Sequence, residues 1–272
     1  MLEALLLGLV QGFTEFLPIS SSAHLTLLPK MAGWNSPLLN SLAFDVALHA
    51  GTLVAVVIFF WKDLIRLLRS STAGIVQGKP FENPDSRLAW LIVLGTIPAV
   101  AAAVLFGDML EQLGRHPVWV ASLLIGFGLL MALAEFFAVK KKKLPAMNTW
   151  EALTVGVGQA LALFPGVSRS GATITTGLIL RYERAEAARF AFLLSIPAIL
   201  GAVVFEGRNL MKMALDQSIG ILAVGVAASA ISGYACIRWL IGYLQRRTLY
   251  PFVIYRLVLG AVVLWWAFEG SF

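Results

Sequence analysis

Two polar segments interrupt a chain that is otherwise apolar, and they hold the residue types needed to move a phosphoryl group. The first reads Gln11-x-x-Thr14-Glu15-x-x-Pro18-x-Ser20-Ser21-Ser22-x-His24. Gln11 and Glu15 are four residues apart, so on a helix they share one face with Thr14 beside them. Pro18 ends that helix, Ser20 suits the N-cap of the next, and His24 lies about one turn into it. A carboxylate, hydroxyls and an imidazole therefore converge. The second segment reads Phe164-Pro165-Gly166-x-Ser168-Arg169-Ser170-Gly171-x-Thr173. Pro165-Gly166 breaks the chain and Ser168 can cap the helix that follows. The free N–H groups of that helix's first turn, with its positive dipole end, suit an anion. Arg169 adds a planar fork matched to phosphate, and Gly171 lets a ligand approach the backbone.

Phosphoryl transfer needs little beyond positioning and charge stabilisation. Arg169 and the helix N-terminus are expected to hold phosphate oxygens. Ser21 or His24 would attack, or His24 would activate water, with Glu15 orienting or deprotonating the attacking group. Gln11, Ser20, Ser22 and Gly171 are candidate contacts in the same segments. The competing reading is a purely structural Glu15–Arg169 ion pair, and the two are compatible if the pair opens for substrate. Asp45 and His49, one turn apart, either join the site or cap a helix. Glu135 and Glu206 are expected to snorkel from span ends, and Lys140 to Lys143 to anchor topology.

Composition places these segments in a membrane. Of 272 residues, 59% are hydrophobic and 13% charged, with mean hydropathy +0.83; soluble domains run near a quarter charged. The net charge of +6 fits loop bias in a membrane protein rather than nucleic-acid binding, for which no motif or basic face is present. One cysteine, Cys236, forbids an internal disulfide, and the histidines are too few and scattered for a structural zinc site. The first residues do not read as a cleaved signal peptide. We expect an all-α polytopic fold with spans at roughly 43–62, 88–107, 118–138, 187–206, 218–241 and 250–269. Segments 2–28 and 151–181 are each broken midway and too short in either half to span; both read as re-entrant helical hairpins.

The halves repeat. With Gln11 set opposite Gln159, Gly8, Phe16, Ser20 and Ser22 fall opposite Gly156, Phe164, Ser168 and Ser170. Phe44, Leu48, Val57, Phe59 and Leu64 then meet Phe190, Leu194, Val203, Phe205 and Leu210, and Pro117 and Gly126 meet Pro251 and Gly260. Residues 1–140 and 150–272 thus read as two repeats in one membrane domain. Each has one hairpin and three spans, and an odd number of spans inverts the second. With the loop 63–87 cytoplasmic, that side collects most of the Lys and Arg, while Lys30, Arg115, Arg208 and Lys212 stay opposite. Both termini are then outside, and the hairpin tips are expected to meet near the midplane.

These residues resemble the undecaprenyl-diphosphatase family, also called bacitracin-resistance proteins. The likeness rests on Gln11-x-x-x-Glu15, Pro18-x-Ser20-Ser21-Ser22-x-His24, and Pro165-Gly166-x-Ser168-Arg169-Ser170-Gly171-x-Thr173. It continues through Phe44-Asp45-Val46-Ala47-Leu48-His49-x-Gly51-Thr52 and covers nearly the whole chain. The resemblance implies removal of one phosphate from undecaprenyl diphosphate, giving the lipid carrier of peptidoglycan synthesis, with a site open to the outer face of the bacterial inner membrane. It marks Glu15, Ser21, His24 and Arg169 as catalytic and Ser168, Ser170 and Thr173 as phosphate contacts. It also implies a divalent cation, Mg²⁺ or Ca²⁺, although Gln11 stands where some members carry Glu and leaves Glu15 the one motif carboxylate. The acid-phosphatase-like lipid phosphatases are not matched, because Thr175 stands where they place His after Ser168-Arg169. The alternative function is a transporter or flippase for a phosphorylated lipid, which inverted repeats with broken helices also suit. Homodimerisation is left open by the sequence.

Overall fold

The structure, a computed structural model, describes residues 1–114, 116–213 and 219–269, leaving out the side chains of 108, 110–114, 208–210 and 212–213. Arg115 and the side chains of Arg208 and Lys212 thus lie outside the described residues. The described residues form helices without a strand. These are α1 (Leu2–Phe16), α2 (Ser21–Ala32), α3 (Leu42–Val76), α4 (Pro84–Gly114), α5 (Pro117–Phe137), α6 (Thr149–Leu161), α7 (Arg169–Ile179), α8 (Arg184–Met213), α9 (Ile219–Leu244) and α10 (Tyr250–Phe268).

Six of them, α3, α4, α5, α8, α9 and α10, are long and apolar enough to cross a membrane. Their outer surfaces are rich in exposed large apolar side chains such as Ile58, Val104, Phe136, Phe205 and Ile231. That is the surface a lipid-solvated bundle presents. The other four helices form the two hairpins. At 15 and 12 residues for α1 and α2, and 13 and 11 for α6 and α7, none spans ~30 Å at ~1.5 Å per residue.

One boundary differs from expectation. The segment 63–87 is not a loop, because α3 continues to Val76 and α4 begins at Pro84. The extension is amphipathic. Leu67 is buried, whereas Asp63 pairs with Arg66 and Arg189, and Arg66 also with Asp85. Glu135 also departs from the snorkelling expectation. It is 3% exposed and bound by Arg184 and Lys140, so two cations rather than water satisfy it.

The hairpins pack alike. α1 lies along α9 and α6 along α4, while α5 packs on α10 and α3 on α8. A Cβ on Gly8 would overlap the Gly225 carbonyl oxygen, and one on Gly156 would overlap that of Gly95. The two hairpins thus meet their partner helices through equivalent glycine-to-carbonyl contacts. The turns match as well. Ser20 and Ser168 precede α2 and α7 with φ of 74° and 73°, a region L-residues rarely adopt. In each, the serine Oγ is 3.2 Å from that of the serine two residues on, Ser22 or Ser170. This geometry is compatible with a duplicated, inverted architecture. The segments 138–148 and 181–183 meet directly, the Lys141 and Lys142 N–H groups donating to the Arg181 carbonyl at 3.0 and 2.9 Å.

Candidate active site

Glu15 is the centre of the site. It sits on the last turn of α1, 6% exposed, because Pro18 ends the helix there and its face packs inward. A carboxylate so buried must be matched by donors, and four side chains supply them. Gln11 Nε2 donates to Oε2 at 3.1 Å, and Ser21 Oγ donates to the same oxygen at 2.7 Å. His49 Nε2 lies 3.3 Å from Oε2, and Arg169 Nη2 lies 3.3 Å from Oε1. Elements far apart in the chain therefore meet on one carboxylate: α1, the start of α2, α3 and the start of α7.

Arg169 and Gln11 are not saturated by these contacts. Arg169 Nη1 and Gln11 Oε1 are buried without a hydrogen-bond partner. Buried polar groups are nearly always paired. An unpaired guanidinium N–H beside a serine–carboxylate couple is a donor suited to an anionic oxygen.

His24 is placed differently. Its Nδ1 is 2.7 Å from the Ser20 carbonyl oxygen and its Nε2 is 2.6 Å from the Tyr255 hydroxyl. A carbonyl only accepts, so Nδ1 carries the hydrogen and Nε2 accepts from Tyr255. The two rings also stack, 5.6 Å apart and 9° from parallel. His24 does not contact Glu15 here.

The second hairpin behaves as expected at its cap and differently beyond it. Ser168 Oγ accepts from Gly171 N at 3.1 Å, which caps α7; Ser20, by contrast, occupies the N-cap of α2 without a side-chain cap. Ser170 Oγ donates to the Leu17 carbonyl at 2.9 Å, tying one hairpin to the other. Thr173 Oγ1 donates to the Arg169 carbonyl at 2.7 Å, so its hydroxyl is engaged on its own helix. The space above Gly171 is taken by Ser168 and the Arg256 guanidinium, so this glycine admits an arginine rather than opening the backbone to a ligand.

Residues 4–262 match the family described as bacitracin resistance protein BacA. The chain belongs to that family. It is 42% identical over 271 residues to an undecaprenyl-diphosphatase of Chlorobium phaeovibrioides, covering 96% of this chain and 95% of that one. It is 44% identical over 277 residues to the one of Pelodictyon phaeoclathratiforme, covering 98% and 97%. It is 44% identical over 270 residues to that of Thermomicrobium roseum, covering 96% of each.

Of the further contributors, His49 was one of two open candidates, and Tyr255 and Arg256 were not singled out by the motifs. His49 joins the site, whereas Asp45 contributes its backbone carbonyl, which accepts from His49 Nδ1 at 2.7 Å. The cap of α3 is Ser41, not Asp45. Tyr255 holds His24. Arg256, 1% exposed, donates to the carbonyls of Pro18 at 3.3 Å, Gly166 at 3.0 Å and Leu124 at 3.2 Å. It clasps the turns of both hairpins. A charge inside the apolar run 250–269 was the available signal.

A resident divalent cation is not supported by the donors present. Gln11 Oε1 and the two carboxylate oxygens of Glu15 are three oxygens, and Glu15 already faces Arg169 and His49; a hard cation takes six or more. No group of three His, Cys, Asp or Glu that could hold a metal occurs among the described residues.

Proposed function

We propose that the chain is a membrane phosphatase that hydrolyses undecaprenyl diphosphate to undecaprenyl phosphate and inorganic phosphate, with Ser21, Glu15, Arg169 and His24 as its catalytic residues. The observation that carries this is the Ser21 Oγ–Glu15 Oε2 hydrogen bond of 2.7 Å beside the unpaired Arg169 Nη1. The names of the relatives support the substrate.

The geometry favours Ser21 over His24 as the attacking group. Ser21 is already on a carboxylate that can take its proton, while both nitrogens of His24 are engaged. In the first step Arg169 holds the terminal phosphate and Ser21 Oγ bonds to its phosphorus. The bridging P–O bond breaks, undecaprenyl phosphate leaves, and the serine proton passes to Glu15. In the second step water attacks the phosphoserine and gives one proton to His24 Nε2, displacing Tyr255, and His24 then releases that proton to solvent. Glu15 returns its proton to Ser21 Oγ and inorganic phosphate leaves. Gln11, Ser20, Ser22, Ser168 and Ser170 would shape the phosphate cradle. If Mg²⁺ or Ca²⁺ takes part, Glu15 and Gln11 Oε1 are the oxygens this chain offers, and the ion would have to arrive with the diphosphate.

We further place the chain in the bacterial inner membrane as two inverted repeats, termini and active site on the outer side. The face holding 77–83, 138–148, 181–183 and 245–249 carries Lys79, Lys140 to Lys143, Arg181, Arg246 and Arg247, which supports its being cytoplasmic. A cysteine at residue 75 should be labelled from the cytoplasm only. Detergent-purified protein should release phosphate from undecaprenyl diphosphate, and Glu15→Ala and Arg169→Ala should not. Protein that releases none but moves the lipid across vesicles would be a carrier instead.

A further inference from the structure

On the face opposite the one we assign to the active site, some positive side chains are held by carboxylates and others, Arg69, Lys141, Lys143 and Arg181 among them, meet no carboxylate among the described residues. Arg66, Arg184, Arg189, Lys79, Lys140 and Lys142 are each bound to a carboxylate. Arg238, Arg246 and Arg247 have no carboxylate or hydrogen-bond acceptor for their guanidinium groups among the described residues, and all three are exposed. They line one groove, together with Ala235, Trp239, Gly242 and Tyr243, and no acidic residue lines it.

The groove follows from helix periodicity. Residues 235, 238, 239 and 242 recur at three- and four-residue steps, so they stand on one face at the C-terminal end of α9, and Arg246 and Arg247 follow in the turn after it. Ala235 and Gly242 keep its floor shallow, and nothing stands within 4 Å of where a Cβ on Gly242 would lie. Trp239 forms the wall, 53% exposed yet held. It stacks on Tyr243 at 5.0 Å and 24°, and both rings meet Phe252 edge-on at 6.4 and 5.7 Å. The helix dipole favours cations at this end, but it asks for no aromatic wall and leaves the guanidinium forks unused.

We propose that this groove binds the headgroup of an anionic phospholipid, with the arginines on its phosphate and an acyl chain beside Trp239 over Ala235 and Gly242. The depth fits. Arg246 and Arg247 follow the last residue of a long apolar helix, Trp239 sits about one turn inside it at the level aromatic belts occupy, and Arg238 beside it is exposed. The charge is complementary, since planar guanidinium groups pair with phosphate oxygens bidentately. An exposed arginine near an anionic surface is worth about fivefold in binding, so three give roughly a hundredfold.

The test is native mass spectrometry of full-length protein from detergent, offered phosphatidylglycerol or phosphatidylcholine. The parent should retain phosphatidylglycerol at least tenfold better. The triple variant Arg238→Gln, Arg246→Gln, Arg247→Gln should lose that preference, while Lys79→Gln keeps it. If the triple variant does not melt cooperatively, Arg238→Gln and Arg247→Gln alone should each lower the preference several-fold. An unchanged preference in these variants overturns the proposal, as does inorganic phosphate displacing no phosphatidylglycerol at saturating concentration. Phosphate release from undecaprenyl diphosphate in lipid-free detergent should be the same in parent and triple variant, so the site is read separately from hydrolysis.

Discussion

His49 Nε2 stands 3.3 Å from Glu15 Oε2 while its Nδ1 is 2.7 Å from the Asp45 carbonyl. Both neighbours are acceptors, so the Nε2 contact is a hydrogen bond only when the pair holds one proton beyond a carboxylate and a neutral, Nδ1-protonated imidazole. His49 thereby orients the carboxylate that Ser21 uses. A charge-assisted bond is worth ~1.5–3 kcal/mol, so His49→Ala should lower kcat about ten- to a hundredfold with little change in KM. His49→Gln, which keeps an N–H donor, should recover much of it. Steady-state kinetics on both variants checks this, and an unchanged kcat would make His49 a packing residue.

Arg256 should be the most sensitive residue outside the reacting groups. Removing its guanidinium leaves the buried carbonyls of Pro18, Gly166 and Leu124 short of donors, at ~1–3 kcal/mol each for those that water cannot reach. Arg256→Gln should lower the melting temperature markedly. Arg256→Lys should rescue little, because an ammonium cannot reach both hairpins with a fork. Thermal melting in detergent reads both.

The glycine pairs test the repeat. Gly8→Ala and Gly156→Ala each push a methyl into a backbone carbonyl, and overpacking of this kind costs ~1–3 kcal/mol. The two should destabilise alike. Gly126→Ala, where nothing stands within 4 Å, should be neutral or mildly stabilising. Melting of the three variants side by side is the measurement.

Much of this architecture is legible in the sequence. Twenty-residue apolar runs give the spans, and Pro18 and Pro165 with their serines give the breaks, because a bilayer leaves little choice of backbone. Glu15, Ser21 and Arg169 were readable as one site because their two segments repeat one residue pattern, a break followed by paired serines. His49 was readable only as one of two alternatives, since its spacing to Asp45 fits a helix start equally well and only the packing of α3 on α1 decides. The separation of His24 from Glu15 is set by Tyr255, more than two hundred residues away. The helical extension of α3 past residue 62 depends on Arg189 and Asp85 from other helices, which charge spacing along α3 does not reveal.

Acid should weaken the second hairpin. Burial works to raise the Glu151 carboxyl, but the Lys142 ammonium, the Tyr182 hydroxyl and the Asn148 N–H together leave it below its usual range. A depressed carboxyl contributes stability above its unfolded value of about 4.3, and that contribution is lost as pH falls through the folded value. Melting temperature should therefore fall below about pH 4, and Glu151→Gln should flatten that part of the curve while lowering the plateau.

The Ser21–Glu15–Arg169 account is tested most directly by phosphate release from undecaprenyl diphosphate, measured for parent and Ser21→Ala protein purified and assayed identically. General-base activation of a positioned nucleophile contributes about a hundredfold or more. The account predicts steady release by the parent and a loss of at least that size in Ser21→Ala, with both proteins melting at similar temperatures. Release by Ser21→Ala at the parent rate would contradict it.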